Sequence, residues 1–182
     1  MDPETQQSRN EDEIPLAKVY HLEPGYVYVN AQGAVIRTVV GSCVTVCFWE
    51  KHRRLGGMNH FMYPRAGKKD KRTVVFGDVA MPVLIRLMRD FGAERESMVA
   101  QIYGGGCQFG DEKRSVGPKN VEVARSILEE FRIPVITEDT GGRMGRKILF
   151  DTATGEAAVL KVHALRSEDW YHPKKKTYGT IA

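Results

Sequence analysis

Two residues in this sequence can carry nucleophilic chemistry together, Cys43 and His60. Cys43 directly precedes the first of two apolar runs, Val44 to Trp49 and Leu55 to Tyr63, and His60 lies within the second; the charged cluster Glu50-Lys51-His52-Arg53-Arg54 separates the runs. Runs of β-branched, aromatic and glycine residues around a wet turn read as a β-hairpin. With an even-length turn at about residues 51 to 54, Thr45 lies opposite His60 and Cys43 opposite Met62. Cys43 and His60 are then diagonal neighbours on one face, roughly 7 Å apart at the backbone. An odd-length turn would put them on opposite faces, because a one-residue slip reverses every side chain.

A thiol beside an imidazole is the minimal unit of thiol-based acyl chemistry. The imidazole takes the proton, the thiolate attacks a carbonyl carbon, and the imidazolium protonates the leaving group. Gly41 and Ser42 break the preceding apolar run just before the cysteine, so the amides of the Ser42-Cys43-Val44 bend are free to face an oxyanion. The plain alternative is a packed thiol and an ordinary imidazole.

The motifs around this pair resemble the CheD family of chemoreceptor glutamine deamidases. They are Thr38-x-x-Gly41-Ser42-Cys43-Val44 and Gly57-Met58-x-His60-x-Met62-x-Pro64, followed by Gly77-Asp78-x-Ala80 and Tyr103-Gly104-Gly105-Gly106. Gly117-x-x-Asn120, Asp139-x-Gly141-Gly142-x-x-Gly145-Arg146 and Thr154-Gly155 continue the series in order. The resemblance implies that Cys43 is the nucleophile, His60 the base and Thr38 the residue that orients the histidine. It implies methyl-accepting chemotaxis receptors as protein substrate, glutamyl methyl esters as a second substrate, and a CheC-type phosphatase as a further partner. Ser42 and Asn59 are the candidate substrate-reading side chains. No cofactor is called for.

Several elements must position these groups. Gly25 to Val29 reads as a strand, Asn30-Ala31-Gln32-Gly33 as a turn, and Ala34 to Val40 as the next strand, giving a β-meander that leads into the cysteine bend. After the hairpin, Asp78 reads as the N-cap of a helix with Val79, Val83, Leu84, Leu87, Met88 and Phe91 as its apolar stripe. Met98 to Tyr103 is a strand ending in Gly104-Gly105-Gly106, which lacks the Lys-Ser/Thr of a phosphate-binding loop. Gly117-Pro118 opens a second helix with Val121, Ala124, Ile127, Leu128 and Phe131 on one face. Pro134 to Glu138, Lys147 to Asp151 and Glu156 to Val162 complete the strands. The expected architecture is a single layered α/β domain, a mixed β-sheet core with two main helices packed on it.

Composition narrows the partners. With 42% hydrophobic and 27% charged residues, the chain reads as a globular protein with a core of its own. No apolar run approaches the length of a membrane span, and the acidic start lacks the regions of a signal peptide, so a cytoplasmic protein without membrane insertion is expected. Residues 1–17 are polar with little to bury and read as disordered, 18–166 as the domain, and 167–182 as a basic tail that packs as a strap or docks a partner. Three cysteines form no disulfide framework, and no Cys-x-x-Cys pair suggests a metal; Cys47 and Cys107 read as buried thiols. The basic stretch Arg65 to Arg72 suits attraction of an acidic protein substrate. Arg143 and Arg146 invite an anion-binding role. A net charge of +4 without a basic stripe interleaved with aromatics gives no support to nucleic-acid binding.

Overall fold

In a computed structural model of the chain, which describes residues 19–107 and 115–170, the hairpin is the centre of the molecule. Strand β4 (Val44–Glu50) pairs antiparallel with β5 (Leu55–Phe61), with Thr45 opposite His60 and Val44 opposite Phe61. This is the even-turn register. The Glu50 carboxylate closes the turn by accepting the backbone N–H groups of His52 and Arg53 at 3.2 and 2.8 Å. Strand β2 (Tyr26–Asn30) flanks β5, β6 (Met98–Gly104) flanks β4, and β7 (Val135–Thr140) runs parallel to β6. The five-stranded order is β2-β5-β4-β6-β7.

A second, four-stranded sheet has the order β1-β3-β8-β9, with β1 (Val19–His21), β3 (Val35–Val40), β8 (Gly145–Asp151) and β9 (Ala157–Val162). The expected meander is therefore corrected: β2 and β3 lie in different sheets, and the Asn30–Gly33 turn carries the chain from one to the other. The burial pattern follows the division. In β3, Arg37 is exposed while Ile36 and Thr38 to Val40 are buried, so the outer face is wet at Arg37 and covered toward Val40. β4 and β5 are buried along nearly their whole length, as a middle layer requires.

Two helices, α1 (Gly77–Asp90) and α2 (Val116–Glu130), cover one face of the five-stranded sheet, where Val44, Val46 and Phe48 meet Leu84, Met88, Ala124 and Leu128. On the other face Cys47 and Met58 pack against Ile36, Ile148 and Phe150 of the second sheet. The layers are thus helices, sheet, sheet, and burial of each large apolar side chain between them contributes about 1.5–3 kcal/mol.

Two helix expectations change. Phe76, not Asp78, occupies the α1 cap position, and Asp78 instead accepts the Ala66 N–H at 3.0 Å and pairs with Arg72 at 3.2 Å. The buried face of α1 is Gly77, Ala80, Met81, Leu84, Ile85 and Met88, while Phe91 is 52% exposed. Gly77 sits so close to the Phe61 ring that a Cβ there would lie 2.8 Å from it, which turns the small residues of the helix inward. In α2 the expected face is buried from Val121 to Leu128, and Ser115 caps the helix by accepting the Gly117 N–H.

Candidate active site

The register settles which face each side chain takes. Cys43 precedes the pair Val44–Phe61, and His60 pairs with Thr45, so both side chains project into the seam between the two sheets. Cys43 is 7% exposed and His60 fully buried. Asn59, one residue from His60, points the other way: its Oδ1 accepts the Val46 N–H at 2.9 Å and its Nδ2 faces the Met81 sulfur beneath α1. Asn59 is a core residue on the helix side and does not meet the Cys43 face, which corrects its reading as a substrate contact. Ser42 is half-buried in the bend itself.

Thr38 reaches the same seam from the opposite sheet. Its Oγ1 is 2.8 Å from the Leu22 carbonyl oxygen and 2.8 Å from His60 Nδ1. A carbonyl can only accept, so the single hydroxyl hydrogen goes to Leu22 and the hydroxyl oxygen accepts from Nδ1–H. That assignment leaves Nε2 as the basic nitrogen, and Nε2 is buried without a hydrogen-bond partner among the described residues. Thr38 of the four-stranded sheet thus bonds His60 of the five-stranded sheet, and Cys43 lies on the same face of that sheet as His60.

Both side chains rest uncharged at neutral pH. Burial pushes the Cys43 thiol up to about 11, opposed only in part by its own backbone N–H. Burial, reinforced by the nearby His21 imidazole, pulls His60 down to about 3. The pair is a thiol and a neutral base at pH 7, not a preformed thiolate and imidazolium. Any attack by such a thiol would have to be accompanied by proton transfer.

Two features bracket the bend. Gly104 adopts φ +110°, and a Cβ on it would lie 2.2 Å from the Cys43 carbonyl oxygen, so only glycine admits the contact. Behind it, Gly105 N–H donates to Cys43 O at 2.8 Å and Gly106 N–H to Gly41 O at 2.7 Å. Gly117 brings the start of α2 against this triplet, since a Cβ there would lie 2.5 Å from Gly105 O. One turn later, buried Asn120 donates from Nδ2 to Ser42 O and to Met62 O, both at 3.0 Å. Sequence reasoning registered Asn120 only as a motif position; the available signal was an amide on the apolar face of a helix, four residues before Ala124.

On the outer side, the short helix α3 (Ser167–Trp170) lays Trp170 over the site. Its ring centroid is 6.2 Å from that of His60, and a Cβ at Gly41 would lie 3.6 Å from the indole. Lys147 holds α3 through Asp169 at 2.6 Å. Of the tail read from Ser167 onward, Trp170 packs beside Gly41 and His60, while residues 171–182 lie outside the described part of the chain, as do 1–17. Arg146 is corrected as an anion-binding candidate: it is 3% exposed and spent on Asp139 at 2.8 Å and on the carbonyls of Gly141 and Met144. Arg143 is exposed.

The family model described as CheD chemotactic sensory transduction matches residues 62–161. A protein of Trichlorobacter lovleyi named probable chemoreceptor glutamine deamidase CheD is 41% identical over 147 residues, covering 80% of this chain and 91% of that protein. A protein of the same name from Rhodospirillum rubrum is 42% identical over 147 residues, covering 79% of this chain and 82% of its own. One from Sulfurimonas denitrificans is 33% identical over 145 residues, with 78% and 93% covered. Matches of this extent make the chain a member of the CheD family.

Proposed function

We propose that this protein deamidates specific glutamines of methyl-accepting chemotaxis receptors, using Cys43 as nucleophile and His60 as general base, with Thr38 orienting the imidazole. Family membership supports the substrate class. The observation that carries the residue assignment is the Thr38–His60 hydrogen bond, which leaves Nε2 free on the face shared with Cys43.

The chemistry follows from the resting states. As Sγ attacks the side-chain carbonyl carbon of glutamine, Nε2 takes the thiol proton, a C–S bond forms, and the carbonyl π electrons become an oxyanion. The resulting imidazolium gives its proton to the amide nitrogen, the C–N bond breaks, and ammonia leaves. A thioester on Cys43 remains. Water then adds with Nε2 as base, the C–S bond breaks, and glutamate and the free thiol are released. An ester carbonyl suits the same cycle with methanol as leaving group, which brings glutamyl methyl esters within reach. Among the described residues no helix is long and apolar enough to cross a membrane, in keeping with action from the cytoplasm on the receptor.

Incubation of purified receptor with the wild type, Cys43→Ala and His60→Ala, followed by mass spectrometry, tests the assignment. Glutamine-to-glutamate conversion is expected with the wild type alone. Conversion by either folded variant removes that residue from the mechanism. A CheC-type phosphatase is a further proposed partner, and its capture by Cys43→Ala would separate binding from the thiol.

A further inference from the structure

We infer that Asn120 is a positioning residue, one that aims the Cys43 N–H at the developing oxyanion and fixes the gap between the cysteine bend and the strand carrying His60. The inference rests on the proposed cysteine chemistry and extends it to a side chain on the far side of the sheet.

The bend has a donor in need of fixing. Among the described residues, neither the Ser42 nor the Cys43 N–H donates to another backbone group, whereas the carbonyls of Gly41, Ser42 and Cys43 are all engaged. The Ser42 carbonyl and the Cys43 N–H belong to one planar trans peptide, so they point in opposite directions. By holding the Ser42 oxygen at 3.0 Å, Asn120 turns the Cys43 N–H away from α2 and toward the seam.

The second bond secures the base. The β4–β5 ladder ends at Val44 and Phe61, and beyond it each segment bonds other neighbours, Cys43 to Gly105 and Met62 to Val75, but among the described residues no backbone bond joins the two. Asn120 bridges this open end, joining the residue before Cys43 to Met62, two residues after His60. Both acceptors are carbonyls, which requires the amide NH2 to face them and leaves Oδ1 buried without a partner. A buried amide with one unanswered acceptor is a costly way to stabilise a core, and an aliphatic residue would serve packing alone. Gly117 and the Gly104–Gly106 triplet bring α2 close enough for Asn120 to reach.

Alkylation and deamidation separate positioning from mere structure. Attack of Cys43 on iodoacetamide builds no oxyanion, whereas attack on an amide does. In the full chain, Asn120→Ala is expected to lower kcat on purified receptor about tenfold to a hundredfold, below the range for losing an oxyanion donor outright. KM and the Cys43 alkylation rate are expected to stay within about threefold. Asn120→Ser, whose hydroxyl reaches one carbonyl at most, is expected to fall between. An unchanged kcat, or a kcat that falls only in step with alkylation, overturns the inference. So does failure of both variants to fold, which would make Asn120 a core residue alone. Cys43→Ala assayed in parallel keeps the two levels apart: conversion by that variant defeats the mechanism itself, whereas a dead Cys43→Ala beside a fully active Asn120→Ala defeats only the role of Asn120.

Discussion

The hydroxyl of Thr38 joins the two sheets at His60, 2.8 Å from Nδ1, while its own hydrogen is committed to Leu22. One group thereby fixes the tautomer and tilt of the base. Replacing it with the nearly isosteric Thr38→Val strands a buried N–H, a loss of roughly 1–3 kcal/mol. Expressed in the transition state, that is about a tenfold to hundredfold fall in kcat. Thr38→Ser keeps the hydroxyl and should retain most activity. Steady-state kinetics on receptor with both variants checks the contrast, and equal losses would assign Thr38 to packing.

The neutral resting pair predicts how the thiol responds to pH. With Cys43 raised to about 11, its alkylation rate should climb about tenfold per pH unit through pH 9 without a plateau near neutrality. Peptide mapping must follow Cys43 separately, since Cys107 is 9% exposed. A plateau between pH 6 and 8 would indicate a thiolate paired with protonated His60 and contradict the burial argument.

His60 also predicts acid lability. Its folded value of about 3 lies below the ordinary 6.5, so between these limits the unfolded chain binds a proton that the folded chain does not. Stability is then full above about pH 6.5 and falls as pH drops through that window, by up to ~1.4 kcal/mol per unit. Denaturant melts of wild type and His60→Gln between pH 7 and 4 should show a shallower decline in the variant. Parallel declines would mean that His60 is protonated in the fold.

The loop from Arg65 to Arg72 predicts a salt effect. Lys68, Lys69 and Lys71 are exposed just beyond β5, where they can draw an acidic receptor surface toward the site. Changing all three to Ala should lower kcat/KM about tenfold at low ionic strength and flatten its dependence on salt. A salt titration matching the wild type would free the loop of any such part.

How far could the sequence alone be followed? The hairpin register was readable because a charged turn between two apolar runs of fixed length allows few pairings, and the register in turn placed Cys43 and His60 on one face. What local pattern could not encode was layering. Strands β2 and β3 are adjacent in sequence and look like a meander, but β2 pairs with β5 and β3 with β8, partners distant in sequence that no local pattern encodes. Asn59 was misread for a related reason: neighbouring residues in a strand face opposite ways, and proximity to His60 in sequence is separation in space. Arg146 failed as an anion site because its partner, Asp139, lies across a glycine turn whose shape is set only in the fold.

The indole of Trp170 resting above His60 has an optical consequence. The chain has two tryptophans, and in a Trp49→Phe background the only emitter would be the one that leans on the reaction centre. Anything that slips beneath the ring, or any charge that appears on the imidazole, alters the colour and brightness of that emission, so the protein carries its own dye for watching a receptor arrive.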